Sequence, residues 1–319
     1  YDLVIIDEAS MLSLSLMYRL LDALRPNAEL FLVGDPEQLA SVDAGTVLAD
    51  ISTAARAEGS KLHGCTMRLT TQYRYAVGSP IEQVVKAVQS GDADQVIDLL
   101  KSHRNSDGVV SWIDPSSKEP ADLLAFESLG FAVRRHAQEV VELANTSQHG
   151  RVLEVLGDMQ LLCASRSGQL GIAGWNRTVN RWLGSASRKH WFVGRPILIT
   201  KNDHGNQLYN GDVGVVCLDP QGDIRVVFDG LGGPREFPTV RLPEVETVHA
   251  LTIHKSQGSE YKHAVVVLPT GRSRLLTREL LYTGVSRARE QLTVVASEAA
   301  LRAAVSTVIT RASGLADRL

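Results

Sequence analysis

Five polar clusters in this 319-residue chain combine residue types that could do chemistry on a phosphate. Asp7-Glu8 comes first, at the end of the apolar run Leu3–Ile6. Two acids there can divide labour, one holding Mg2+ and the other orienting or deprotonating a water; two solvated acids capping a strand would look the same. Gly34-Asp35-Pro36-Glu37-Gln38-Leu39 ends a second apolar run. Gln38 could hydrogen-bond a phosphate or an attacking water, unless the segment is a plain Gly-Asp-Pro turn. Gln72-Tyr73-Arg74 sets an aromatic ring beside a guanidinium, suited to stacking on a base and to bidentate phosphate contact; alone it reads equally as exposed polar chain. Thr252-Ile253-His254-Lys255-Ser256-Gln257-Gly258-Ser259-Glu260 is dense in donors, which suits a phosphate or phosphodiester, against the alternative of a solvated loop. Tyr282–Arg289 carries Arg287 and Arg289, and an Arg reaching a nucleotide from a second domain stabilises charge on a transferring phosphoryl group. Taken singly, either Arg is a surface residue.

The elements that must position these clusters follow from pattern. Leu3–Ile6 and Leu30–Val33 read as buried strands. Between them Leu14–Leu24 has helical spacing, with Ser13 as N-cap and Pro26 as stop. Strand–helix–strand at this spacing is a βαβ unit, so a parallel α/β sheet is the default. It puts Gly34–Leu39 beside Asp7-Glu8 at the carboxyl edge, where open α/β sheets bind ligands. Residues 80–105 and 121–146 read as helical, Met159–Ala164 as a strand and Asn176–Leu183 as a helix. Arg195–Arg241 changes texture: short β-branched runs separated by Asn210-Gly211-Asp212 and Gln221-Gly222-Asp223 predict a small antiparallel β module. The α/β texture resumes at Val245, with strands at His263–Leu268 and Leu292–Ala296, a helix at Thr277–Ser286 and helical pattern over 298–319.

Composition narrows the class. The chain is 44% apolar and 22% charged, which supports folded domains, and no apolar run is long enough to span a membrane. Three scattered cysteines, Cys65, Cys163 and Cys217, argue against a disulfide framework or a zinc site and suit a reducing cytoplasm. Residues 1–65 hold ten acids and four bases, and the rest holds 26 acids and 29 bases. Neither part is a basic block, so any nucleic-acid contact must come from local placement of donors. The opening Tyr1, on the threshold of a strand, predicts a piece of a longer chain.

In order, the five clusters resemble motifs II, III, IV, V and VI of superfamily 1 helicases. The segments VIIDEASML, GDPEQLASVDAG, GRPILITKND, YNGDVGVV, RLPEVETVHALTIHKSQGSEY, TRELLYTGVSRAR and RASGLADRL narrow the resemblance to the RecD subunits of bacterial RecBCD helicase–nucleases (exodeoxyribonuclease V alpha subunits). Stand-alone RecD-like helicases share several of these segments.

The resemblance implies an α/β fold of RecA-like P-loop NTPase motor domains, the first one partial, with an inserted SH3-like β module. Residues 1–65 would be the back half of the first motor domain, 66–194 and 246–319 the second, and 195–245 the insert. Asp7 would ligate Mg2+ and Glu8 activate water. Gln38 would sense the γ-phosphate of ATP, Tyr73 stack near the adenine, and Arg74 meet the γ-phosphate. Thr252, His254, Lys255 and Ser256 would meet the DNA backbone or couple it to the ATP site, Gly258 and Glu260 would approach the nucleotide, with Glu260 near the ribose, and Arg287 would be the arginine finger. Arg289 would be structural. The implied activity is an ATP-dependent 5′→3′ DNA helicase on the 5′-ended single strand, in double-strand-break repair, with RecB- and RecC-like partners and no nuclease centre of its own. The absence of aromatic residues in Leu39-Ala40-Ser41-Val42-Asp43 favours the 5′→3′ class by analogy. A stand-alone helicase and a non-catalytic docking subunit are the other readings. No G-x-x-x-x-G-K-[ST] occurs in the chain, and Gly168–Gly174 lacks the Lys and the spacing. The resemblance places that loop upstream of Tyr1, so an active motor is expected only of the longer parent; loss of ATPase activity is the other explanation.

Overall fold

Local sequence signals start and stop the elements where chemistry demands. The computed structural model describes residues 1–41, 45–71, 73–103, 108–146, 148–184, 187, 189–309 and 315. β1 (Leu3–Ile6) and β2 (Glu29–Leu32) pair in parallel around α1 (Leu14–Ala23), whose N-cap Ser13 accepts from Leu16 N at 3.3 Å. α2 (Val47–Ala54) completes this first unit. α3 (Pro80–Ser90) begins with Ser79 as cap and Pro80 in its first turn, and ends at Gly91, where φ is 76°. α4 (Ala93–His103) follows, then β3 (Val110–Ile113), α5 (Pro120–Ala144), α6 (His149–Leu156), β4 (Met159–Cys163) and α7 (Ile172–Leu183).

The antiparallel sheet comprises β5 (Pro196–Ile199), β6 (Val213–Leu218), β7 (Ile224–Phe228), β8 (Arg235–Pro238) and β9 (Val245–Thr247), in the order β8-β7-β6-β5-β9. The chain then returns through β10 (Ala250–Thr252), β11 (Tyr261–Val267), α8 (Arg278–Val285), β12 (Ala288–Val295) and α9 (Glu298–Ser306). The second parallel sheet has the order β10-β4-β11-β12-β3.

That sheet is buried on both faces. Leu162, Val266 and Val294 pack with α3, α4, α8 and α9, while Leu161, Val265 and Val295 pack with α5 and α7. Alternate residues of each strand therefore serve opposite layers, which is why these strands read as continuous apolar runs. The antiparallel sheet has its own core around Val216, Val226 and Phe228, and its other face, with Val215, Cys217 and Val227, packs on α5 and α6.

Four expectations need correction. Leu3–Ile6 was expected as a buried strand, yet Leu3 and Ile5 are 49% and 62% exposed, since one face of β1 has no covering layer among the described residues. The strand at Val110–Ile113 was not anticipated, being a short run with no alternation. Val245–Thr247 pairs with β5 and so belongs to the antiparallel sheet, not to the returning α/β texture. The last helix stops at Ser306 rather than running through 319: Thr307, Val308 and Ile309 are β-branched, Arg278 N donates to Thr307 O at 2.7 Å, and Ile309 N donates to Glu279 Oε1 at 3.1 Å. Most of 310–319, including the RASGLADRL tail, lies outside the described residues.

Three histidines sit between the sheet and its helices. His136 Nε2 donates to Val155 O (2.8 Å), while His249 and His263 pair with Asn180 Oδ1 (3.0 Å) and Thr293 Oγ1 (2.9 Å). Burial, reinforced by His136, pushes His249 down to about 3 and His263 to about 4; burial also lowers His136. Each is neutral in the native state and titrates near 6.5 when unfolded, so stability is full above about pH 6.5 and is lost as pH falls towards the native values. Between about pH 7 and 5, His249 and His263 together should cost about 4 kcal/mol. Urea unfolding of the wild type and of a His249→Gln/His263→Gln variant checks this; an equal acid loss in both would show that other groups carry it.

Candidate active site

Backbone bonds draw the first two clusters together. Val33 N donates to Ile6 O and Ala9 N to Val33 O, both at 2.8 Å, so the chain after β1 is zipped to the chain after β2. A Cβ at Gly34 would lie 3.0 Å from Ala9 N and 2.9 Å from Leu48 Cδ2, so glycine is required for this approach. Glu8 has φ 51° and ψ 38°, a left-handed conformation costly for a residue with a Cβ and characteristic of functional loops. Asp7 is exposed, and its Oδ1 accepts from Glu8 N at 2.8 Å.

The second unit closes on this edge. Gly258 has φ 75°, and a Cβ there would sit 3.7 Å from Glu8 Oε1. Arg287 is 1% exposed; its Nε donates to Thr283 O (3.0 Å), Nη1 to Ser259 O (3.3 Å) and Nη2 to Ser286 Oγ (3.2 Å). Burial and Arg74 lower its pKa while Glu8, Tyr282 and Glu260 raise it, and guanidinium stays cationic throughout. Arg74 Nε pairs with Glu260 Oε1 at 2.7 Å, and its Nη1 donates to Ser286 O at 2.8 Å. Arg74, Tyr75, Glu260, Ser286 and Arg289 line a cleft of about 380 Å³. Tyr73, also on this cleft, is 92% exposed and ready to stack. Arg289 Nε stands 3.9 Å from Glu260 Oε2.

The donor-rich run after β10 divides. Thr252 Oγ1 accepts from Lys255 N (3.1 Å), and the fully buried Ser256 donates its hydroxyl to Ile253 O (2.8 Å), so both side chains help to build the turn. His254 and Lys255 are half-buried, and Lys255 Nζ lies 3.3 Å from Glu246 Oε2. Gln38 does not face the Arg74 cleft. It lines a second cavity of about 560 Å³ with Ser10, Leu48, Gln89, Glu279 and Tyr282. Gln72, Val42 and Asp43 lie outside the described residues.

Sequence reasoning missed the residues that join the two units. Tyr282 Oη donates to Asp35 Oδ2 (2.7 Å), Leu39 N to Thr283 Oγ1 (2.9 Å), and Gln257 Nε2 to Leu39 O (2.7 Å). Leu39 itself is 2% exposed, inside the core of the second unit. Burial and then Asp35 push the Tyr282 phenol up, so it remains a donor.

A family model described as an AAA domain matches residues 1–111, and another, a UvrD-like helicase C-terminal domain, matches residues 247–295. The RecBCD enzyme subunit RecD of Mycobacterium tuberculosis is 43% identical over 323 residues, covering 100% of this chain and 53% of that protein. The chain is similar to RecD subunits along its whole length. A second RecD, from Haemophilus influenzae, is 33% identical over 359 residues, covering 100% of this chain and 54% of its own length. The ATP-dependent RecD2 DNA helicase of Deinococcus radiodurans is 31% identical over 312 residues, 96% of this chain and 38% of that protein. The chain thus spans about half the length of the RecD relatives it matches. The crystal structure of a Pif1 helicase from Bacteroides in complex with ADP-AlF3 and ssDNA covers 97% of this chain and 72% of its own, with a TM-score of 0.52 and 15% identity. That likeness is one of fold alone, a RecA-like α/β fold.

Proposed function

We propose that these residues belong to an ATP-dependent 5′→3′ DNA helicase or translocase subunit that processes ends in double-strand-break repair, with RecB- and RecC-like partners, in the bacterial cytoplasm. One observation carries the reading: Glu8 of the first unit meets Gly258 and the charge of Arg287 of the second, making one site from two units. A site divided in this way is remade or broken by domain closure, which is what an ATP-driven motor needs. Residues 1–65 belong to the first motor domain, 66–194 and 248–319 to the second, and 195–247 to the SH3-like insert, the last boundary moved because β9 pairs with β5; the three separate sheets support this division.

ATP would enter the cleft lined by Tyr73 and Arg74, with Tyr73 stacking near the base. Arg74 and Glu260 neutralise one another in the structure, so nucleotide entry exchanges that pairing for γ-phosphate and ribose contacts. No group of three or more His, Cys, Asp or Glu able to hold a metal occurs among the described residues. Mg2+ suits that sparse donor set, because it is held by one or two carboxylates, water and substrate phosphates; Asp7 would hold it, and it would neutralise phosphate charge. Glu8 takes a proton from the water whose oxygen bonds the γ-phosphorus, while the bond from that phosphorus to the bridging oxygen breaks and ADP leaves. Arg287 and Arg74 offset the charge that develops. His254 and Lys255 carry the DNA-backbone contact, with Thr252 and Ser256 shaping their turn. No described helix is long and apolar enough to cross a membrane.

A docking subunit without catalysis is the second reading. Hydrolysis assays on the full-length protein decide between them. The motor reading expects ATP hydrolysis stimulated by single-stranded DNA, and unwinding of duplexes with 5′ but not 3′ overhangs. Absent hydrolysis at saturating DNA would leave the docking reading in its place.

A further inference from the structure

Tyr282 is the wall between two cavities. It lines the cleft that holds Arg74 and Glu260, and also the cavity that holds Ser10 and Gln38. Its phenol donates to Asp35 Oδ2 at 2.7 Å, and the same oxygen accepts from Gln38 Nε2 at 3.2 Å. Asp35 Oδ1 is occupied by Glu37 N at 3.0 Å. A carboxylate only accepts hydrogen bonds, so the nitrogen of Gln38 must be the atom facing Asp35. Gln38 Oε1 is then turned the other way, where it is buried without a partner among the described residues. The hydroxyl of Ser10, 6% exposed and lining the same cavity, is likewise unpartnered among them. An acceptor and a donor in one cavity are the equipment for holding a water.

α8 carries a second link in parallel. Thr283 Oγ1 accepts from Leu39 N, and Thr283 O accepts from Arg287 Nε at 3.0 Å. The helix that leads into Arg287 thus grips both the backbone and the side-chain network of the Gln38 loop.

We propose that Asp35 and Tyr282 are positioning residues: the Tyr282 phenol of the second unit holds the Asp35 carboxylate, which fixes Gln38 with its amide oxygen, not its nitrogen, turned into the cavity it shares with Ser10, on the far side of Tyr282 from the Arg74 cleft. Docking of the second unit and the setting of Gln38 become one event, so hydrolysis waits for closure. The catalytic half of this inference rests on the motor reading above. The structural half, that Tyr282 sets the Gln38 loop, does not.

Tyr282→Phe keeps the buried ring and deletes only the hydroxyl. In the full-length protein at saturating single-stranded DNA, kcat should fall about tenfold or more, the worth of one charge-assisted hydrogen bond, with KM for ATP within about twofold. Asp35→Asn combined with Tyr282→Phe should cost little more than the worse single change, because both act through one path. In the 319-residue chain without nucleotide, hydrogen exchange over residues 34–39 should quicken in Tyr282→Phe while α3 and α4 stay unchanged. A wild type that hydrolyses ATP beside a Tyr282→Phe that keeps its kcat would overturn the inference, as would unaltered exchange over 34–39. No hydrolysis by the wild type, with exchange quickened as expected, would sink the motor reading and leave Tyr282 as the residue that sets the Gln38 loop.

Discussion

Replacing Glu8 with Gln is expected to lower DNA-stimulated ATP hydrolysis by the full-length protein roughly 10²–10⁴-fold, the range for a general base. The change is isosteric and removes only the charge. Glu8 already bears a left-handed backbone at φ 51°, which Gln adopts no less readily, and the glycine at 258 leaves the side chain at position 8 its space. The variant should therefore fold, bind single-stranded DNA as the wild type does and hold ATP without turning it over. Single-turnover hydrolysis, with nucleotide binding measured alongside, checks this. Residual hydrolysis within tenfold of the wild type would mean that another group takes the proton.

The second large effect is expected at Arg287. Arg287→Lys keeps the charge but loses the planar fork that serves Thr283 O, Ser259 O and Ser286 Oγ together. A lysine ammonium on a flexible stem cannot reach all three, so buried acceptors lose their donors, at a cost of about 1–3 kcal/mol in stability. Hydrolysis should fall about 10³-fold or more, the low end for an arginine finger. Chemical unfolding and ATPase assays together separate the roles. Stability lost with hydrolysis kept within about threefold would reduce Arg287 to a structural pin.

Arg287 shows how residue type and placement divide the argument. Its place behind Tyr282-Thr283 in a helical pattern was legible, and so was its candidacy for a phosphate. Its near-complete burial was not, because the carbonyls that hold it come partly from Ser259, 28 residues earlier. Ser256 shows the converse: a hydroxyl in a donor-rich run that turns inward to cap its own turn. From sequence, a hydroxyl that meets a ligand and one that meets a nearby carbonyl look alike.

The chain's own pattern was enough for the local and periodic features. Apolar runs such as Leu3–Ile6 and Ala264–Val267 became parts of parallel strands, Ser13 capped its helix, and Gly and Asp turns divided the antiparallel strands. Those outcomes depend on neighbours within a few residues, so sequence determines them. It also determined which acids, amides and guanidiniums were available at the sheet edges. Only the tertiary structure decided which of them meet. Leu39 was one more apolar residue until the fold buried it in the other unit's core, and Asp35 was a turn residue until Tyr282, 247 positions away, donated to it at 2.7 Å. Such pairings arise when two separately folded units dock, and their geometry depends on the shape of both surfaces rather than on any local run of residues.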